Sequence, residues 1–482
     1  MEQLIGREYE IDKLERLYHS NRPEFVVVYG RRRVGKTFLV REYFGNKFAF
    51  YHTGISPAEL KSTGFDLKHE QLRAFCTSLQ QYGGEWEEYP KDWFAAFECL
   101  KSLLDRKRTD ERKVVFIDEL PWLSVGKTGF LSALEHFWNG WGAAHPELFL
   151  IVCGSAASWM NDNILNNRGG LYGRITDEIH LSPFSLHECE LFYESRFLNM
   201  DRYDQLQSYM FFGGIPYYLD MLRPDRSLAQ NIDILFFTKT GRLRSEFDRL
   251  YQSLFDDSEK YMKIVRVLAR RRVGYTRKEI AEESGIAYNG RLSKMLNSLE
   301  KSDFIVSYHY FGGSAKDVCY KLVDNYSLFY LRFIDGKKSV RENFWTNNIR
   351  TPQLNTWCGL AFEDVCLQHE RQIKRALGFG SVASQSGPWL SKEGTAQVDL
   401  LFDRDDRVIT LCEMKFSSDE FSVTKEYDTQ LRRKTNHFIE ETKCRKSVQL
   451  ALVTTYGLER NKYAHQFQSV VTMDDLFEKS IR

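Results

Sequence analysis

Residues 25–37 read Phe-Val-Val-Val-Tyr-Gly-Arg-Arg-Arg-Val-Gly-Lys-Thr, an apolar run that ends in the spacing G-x-x-x-x-G-K-T. Each residue type there suits the grip of a polyphosphate. Gly30 and Gly35 let backbone N–H groups wrap a phosphate with no Cβ in the way, so Arg31, Arg32, Arg33 and Val34 contribute main chain to the cradle. A helix opening at Lys36 adds the positive end of its dipole. The Lys36 ammonium reaches the β- and γ-phosphates, and the Thr37 hydroxyl can ligate Mg²⁺. Context argues against a chance match: a β-branched strand precedes the loop, and a helical pattern (Phe38, Leu39, Val40, Phe44) follows it.

Such a loop needs a carboxylate on a second strand. Residues 113–119, Lys-Val-Val-Phe-Ile-Asp-Glu, supply it. Four apolar residues suit a parallel strand buried on both faces, and Asp118 would emerge at its carboxyl end beside the loop. Asp118 is the expected Mg²⁺ partner of Thr37, and Glu119 the group that orients or deprotonates the attacking water. A third apolar run, residues 147–155, ends in Cys-Gly-Ser. Ser155 at its tip could sense the γ-phosphate, although a Gly-Ser turn closing any strand would look the same.

A second constellation lies near the carboxyl end. Gln397-Val-Asp399 and Cys412-Glu413-Met-Lys415 sit in two apolar runs that read as a β-hairpin. With a connection of about five residues, Asp399 faces Glu413, and the period of two sets Lys415 on their face. Paired carboxylates are tolerated around a cation, and Mg²⁺ takes such oxygen ligands. Glu363, on a helix expected to begin at Gly359, could add a third carboxylate, and residues 425–439 read as a basic amphipathic helix. A polar face on an edge hairpin would show the same residue types, so the pattern speaks for a metal-dependent nuclease-type fold more firmly than for a working site.

These residues need a scaffold of several domains, and 482 residues are too many for one core. Apolar strands alternating with helical stretches over 1–184 predict a parallel α/β core. Residues 185–255 turn helical, with Gly213-Gly214 and Pro216 breaking the pattern, and read as a helical lid. Over 256–335, a helix leads to a capping box at Thr276 and Glu279, a second helix (residues 289–301), and two strand-like runs (304–311 and 318–323) flanking Gly312-Gly313. This is the order of a winged helix-turn-helix. Residues 260–278 hold eight basic residues and no acidic one, which is compatible with DNA or with a plain packing module. Residues 337–356 look like a polar connector before the final α/β domain, 336–482.

Lys+Arg 67 against Asp+Glu 66 leaves almost no net charge, so only local patches could address nucleic acid. Nine scattered cysteines without a C-x-x-C pair argue for reduced thiols and against a zinc site. The charged beginning of the chain lacks a signal-peptide core, and its apolar runs are too short to span a bilayer. A cytoplasmic protein is expected.

Nearly the whole chain resembles the archaeal and bacterial predicted ATPases of the signal-transducing, STAND-like branch of P-loop NTPases. The resemblance rests on an Ile5-Gly-Arg-Glu8 box, Gly30–Thr37, Asp118-Glu-Leu-Pro-Trp122, Cys153-Gly-Ser155 and Gly169-Gly-Leu-Tyr-Gly-Arg174. Leu181-Ser-Pro-Phe184 and Gly213-Gly-Ile-Pro216 complete it. It implies that the first box lies near the nucleotide base, that Pro216 belongs to a Gly-x-Pro motif touching adenine, and that Arg174 (or Arg168 nearby) is an arginine finger. The last domain resembles the PD-(D/E)XK restriction-endonuclease-like module appended to many members. Here Val398 stands where the literal proline would be. The expectation is therefore an ATP- and Mg²⁺-dependent hydrolytic switch coupled to a DNA-directed module, with assembly into a homo-oligomer left open. The competing reading is a nucleotide-dependent regulator or scaffold that binds DNA or protein without cutting. A small-molecule kinase fits poorly, because the appended domains would then have no task.

Overall fold

The computed structural model describes residues 4–57, 66–107, 111–125, 128–313, 318–337, 342–349 and 351–479. Its first unit is built on β1 (Glu24–Tyr29), β2 (Phe50–Thr53), β3 (Lys113–Asp118), β4 (Leu148–Gly154) and β5 (Asp177–His180). They form one parallel sheet in the order β2-β3-β4-β1-β5. On one face Phe25, Val27, Val115, Ile117, Leu150 and Val152 pack against Phe75, Phe97 and Phe137. These aromatics come from the helices Leu67–Gln81, Trp93–Arg106 and Phe130–Gly140. All five strands run the same way, so their carboxyl ends share one edge. Because β4 lies between β3 and β1, the residue after β4 is flanked by those that follow the other two.

Contacts divide the chain into residues 1–182 and 183–482. The second unit opens with helices Leu186–Ser195, Arg202–Phe212, Leu228–Phe236 and Glu246–Leu254. The helical reading of 185–255 is interrupted earlier than Gly213. The helix stops at Ser195, Phe197 takes a left-handed φ of 56°, and the Leu198 amide bonds the Tyr193 carbonyl. That turn buries Leu198 and leaves the Phe197 ring exposed.

Next come the helix Ser258–Leu268, β6 (Tyr275–Thr276), the helices Arg277–Ser284 and Gly290–Lys301, β7 (Ile305–Tyr308) and β8 (Cys319–Leu322). Both sides of the Thr276–Glu279 capping box form, and the Asn289 side chain caps the third helix. The three short strands pair antiparallel as β6-β8-β7.

The polar stretch at 337–356 is more than a connector. It holds the helix Phe344–Asn348 and the first turn of Pro352–Gln368. Proline is at home in a first turn, where its missing N–H costs nothing, so that helix begins seven residues before the expected Gly359. Trp345 and Trp357 bury themselves among Phe211, Phe329 and Phe333. The C-terminal sheet has the order β13-β12-β11-β10-β9: β9 (Ser384–Leu390), β10 (Gln397–Arg404), β11 (Val408–Lys415), β12 (Ser447–Thr454) and β13 (Ser469–Val471). The first three strands are antiparallel. Helix Lys425–Thr442 then carries the chain over to β12, which pairs parallel with β11. No helix among the described residues is long and apolar enough to cross a membrane.

One buried carboxylate pins the short helix in place. Asp233 accepts from the amides of Trp345 (2.7 Å) and Thr346 (3.0 Å) and from the Thr346 hydroxyl (2.6 Å). Asp233→Ala strands those donors and should destabilise the protein by about 2 kcal/mol, read as a lowered urea midpoint. Asp233→Asn should recover part of the loss.

Candidate active site

The loop between β1 and the helix Lys36–Tyr43 is shaped by its glycines. Gly30 has φ +147°, and a Cβ there would lie 2.2 Å from the Leu181 carbonyl oxygen, so any side chain would force two backbones apart. Gly35 caps the helix at φ +92°. Arg33 adopts a left-handed φ of 76° within the loop. The buried Lys36 ammonium donates to the carbonyls of Gly30 (2.9 Å) and Arg31 (2.8 Å), folding back over the cradle it serves. Arg31 is itself buried, and the Arg32 guanidinium stands 5.9 Å from the Trp122 ring centroid. Arg7, which the resemblance implies is near the base, donates to the Val34 carbonyl at 3.1 Å and so also braces the loop. No spacing rule announces that contact, since it spans 27 positions and depends on a left-handed Arg7.

The acid residues meet the loop across the sheet edge. The Thr37 hydroxyl donates to Asp118 Oδ2 at 2.6 Å, joining groups 81 positions apart. Asp118 Oδ1 accepts from the Glu119 amide at 2.9 Å, and Glu119 takes a left-handed φ of 47°. The Ser155 hydroxyl donates to Glu119 Oε1 at 2.7 Å, with the Ser155 amide 3.4 Å from Oε2. Burial pushes the Glu119 carboxyl above its ordinary range; Lys36 opposes the shift and Asp118 reinforces it. Thr37 and Asp118 present hard oxygen donors side by side, which fits the few protein ligands Mg²⁺ takes while it keeps its waters and phosphate oxygens. Lys36, Thr37, Asp118, Glu119 and Ser155 thus converge. Arg174 and Arg168 are exposed on the segment before β5. Pro216 belongs to the second unit, where it opens the helix Pro216–Leu219.

The second constellation assembles differently. The hairpin connection is 405–407, shorter than expected, and the strands pair from Asp403 with Ile409 to Leu400 with Cys412, one step short of Asp399 and Glu413. Glu413 turns to other partners, accepting from the Tyr427 hydroxyl at 3.0 Å and from the Lys434 ammonium. Both belong to the helix Lys425–Thr442. Lys415 stands 5.4 Å from the Tyr427 ring centroid. Glu363 lies mid-helix, with Asp399, Lys321, Lys415 and Arg272 as its charged neighbours. Among the described residues no three His, Cys, Asp or Glu side chains are spaced to hold a metal ion, so Glu363, Asp399 and Glu413 do not fit a cation as they stand.

Residues 4–222 match the model of an ATPase domain found predominantly in Archaea. An uncharacterized protein of Methanocaldococcus jannaschii is 26% identical over 412 residues, covering 84% of this chain and 86% of that protein. An uncharacterized ATP-binding protein of the same organism is 42% identical over 43 residues, 9% of this chain and 73% of that protein. The solved Walker-type ATPase of Pyrococcus abyssi is similar at a TM-score of 0.49 and 20% identity, over 68% of this chain and 96% of that one.

Burial, with Asp399 beside it, raises the Glu363 carboxyl from 4.5 to about 7, while Lys321, Lys415 and Arg272 pull the other way. The folded protein therefore holds a proton on Glu363 that the unfolded chain releases between those pH values. Stability contributed here is present at acid pH and is lost as pH rises through that window. Thermal melts from pH 5 to 8 should show the decline, and Glu363→Gln should flatten it, gaining about 1–3 kcal/mol on the parent at pH 8.

Proposed function

We propose that this chain, whose residues 4–222 match the model of an ATPase domain found predominantly in Archaea, works as an ATP-driven switch whose second unit is directed at DNA. The Thr37–Asp118 contact carries the first half of this reading, because it sets hydroxyl, carboxylate and phosphate loop at one point. On nucleotide binding the loop amides of residues 31–35 take the phosphates, and Lys36 leaves the carbonyls of Gly30 and Arg31 for the β- and γ-oxygens. Thr37 and Asp118 would hold Mg²⁺, whose charge would offset that of those oxygens. Glu119 orients the water and accepts its proton, with Ser155 fixing the carboxylate before the γ-phosphate arrives. Arg174 supplies positive charge to the transition state, in its own chain or in a second copy.

Two features of the second unit support DNA as the partner. Helix, strand, two helices and hairpin over residues 258–322 follow the chain order of a winged helix. The C-terminal order of helix, three antiparallel strands, crossover helix and parallel strand is that of restriction-endonuclease-like folds. We read residues 1–184 as the ATPase core, 185–255 as its lid, 256–335 as the winged helix and 336–482 as the nuclease-type module, in a cytoplasmic protein. One observation favours the competing regulator that does not cut: Glu413 is engaged by Lys434 and Tyr427. Divalent-cation-dependent DNA cleavage by the parent, lost in Glu413→Ala and Lys415→Ala, would select the nuclease; equal activity in all three would select the regulator.

Lys36→Ala should abolish Mg-ATP binding in calorimetry. Glu119→Gln should bind ATP near the parent affinity and turn it over about 100-fold more slowly or worse. Normal binding by the Lys36 variant would refute the site.

A further inference from the structure

The turn that carries Glu119 is enclosed by its neighbours. On the β2 side, Gly54 follows the last strand residue, and its amide bonds the Asp118 carbonyl at 3.0 Å. A Cβ on Gly54 would stand 2.9 Å from the Glu119 carbonyl oxygen and 3.2 Å from Trp122 Cβ. On the β4 side, a Cβ on Gly154 would lie 2.8 Å from Pro121 Cδ. Beside the turn stands Gln71, wholly buried on the helix Leu67–Gln81. Its Nε2 donates to the Ile55 carbonyl at 2.6 Å and to the Trp122 carbonyl at 3.1 Å. Its Oε1 accepts from the Ile55 amide at 3.0 Å.

The two carbonyls fix which end of the amide is nitrogen, since only its pair of N–H groups can serve both. The three bonds join the segment leaving β2 to the one leaving β3. The helix Leu120–Leu123 is four residues long and cannot sustain itself, because a single turn repays little of the order it needs. Glu119 at its head is held at a left-handed φ of 47°, a conformation that persists only where the surroundings over-determine it.

We infer that Gln71 is a positioning residue for ATP hydrolysis: by tying Ile55 to Trp122 it keeps the Glu119 turn closed, and so keeps the carboxylate on Ser155. The inference rests on the reading of Glu119 as the group that orients the attacking water. Without the Gln71 amide, Trp122 loses an anchor outside its own turn, and the short helix is free to unwind. Glu119 then relaxes toward an ordinary φ, and its carboxylate leaves the Ser155 hydroxyl that donates to it at 2.7 Å. Lys36 and Thr37 stand on the helix after the phosphate loop and Asp118 on β3, so the grip on Mg-ATP survives. Gln71 governs turnover and leaves affinity alone.

The test measures steady-state ATP turnover, and Mg-ATP affinity by calorimetry, on the full chain. Gln71→Met keeps the length of the side chain and removes the amide. Gly54→Ala presses on the Glu119 carbonyl directly and leaves Gln71 intact; it carries the test if Gln71→Met does not fold. Each should lower kcat about tenfold or more and keep the affinity within about twofold of the parent. In a Glu119→Gln background, where the proton acceptor is already gone, neither should lower kcat by more than about a further twofold. Parent-like kcat in both single variants, weakened Mg-ATP binding, or the same fold loss in both backgrounds would overturn the inference. Parent-like turnover by Glu119→Gln alone would overturn the reading of Glu119, and the role of Gln71 with it.

Discussion

A single hydrogen bond, Thr37 Oγ1 to Asp118 Oδ2, states what the first unit has to achieve. The two residues are adjacent only because β1 and β3 run parallel with β4 between them. Antiparallel strands would send one of the tips to the opposite edge. The apolar faces of the sheet hold the strands in register, and the polar tips emerge together as a by-product. The chemistry is local, but its geometry is set by the burial of Phe25, Val27, Val115 and Val152 some way below it.

Within the site, each acid answers to a neighbour. Asp118 is shared between the Thr37 hydroxyl and the Glu119 amide, so its carboxylate has little freedom to rotate. Glu119 sits in a left-handed backbone conformation that its chain neighbours and Ser155 must sustain. Such strain holds the carboxylate toward the loop before any ligand arrives. In the second unit two buried acids are instead met by bases of the same chain, Glu413 by Lys434 and Asp364 by Arg272 and Lys321.

Much of this was legible in the sequence. The buried runs of β1, β3 and β4, the phosphate loop and the Thr276–Glu279 cap are local patterns with strong signals, and the structure places them as read. Two strands gave no such signal. β2 and β5 flank the sheet, are four residues long, and carry His52, Asp177 and Glu178, so neither burial nor alternation marks them. The stretch 337–356 misleads for a related reason: a few apolar residues, Trp345 and Leu354 among them, do the packing while polar neighbours dominate the composition. At the candidate sites, spacing found the acids but not their competitors. Lys434, Tyr427, Arg272 and Lys321 reach those carboxylates through tertiary structure alone, and a period of two or 3.6 cannot reveal a partner on another element.

The glycine at position 30 has a wider reach than its size suggests. Its bare Cα lets the Leu181 carbonyl lie against the nucleotide loop, while the Leu181 amide bonds the Tyr29 carbonyl. Three residues on, Phe184 is gripped in the same manner, its amide on the Gly214 carbonyl and its own carbonyl 2.2 Å from where a Gly214 Cβ would be. The short cord from Leu181 to Phe184 is therefore tied at each end to a glycine-containing turn, one in each unit. Four consecutive residues of the covalent chain thus spend their backbone groups on two glycines, and a side chain at either would push the cord off its turn.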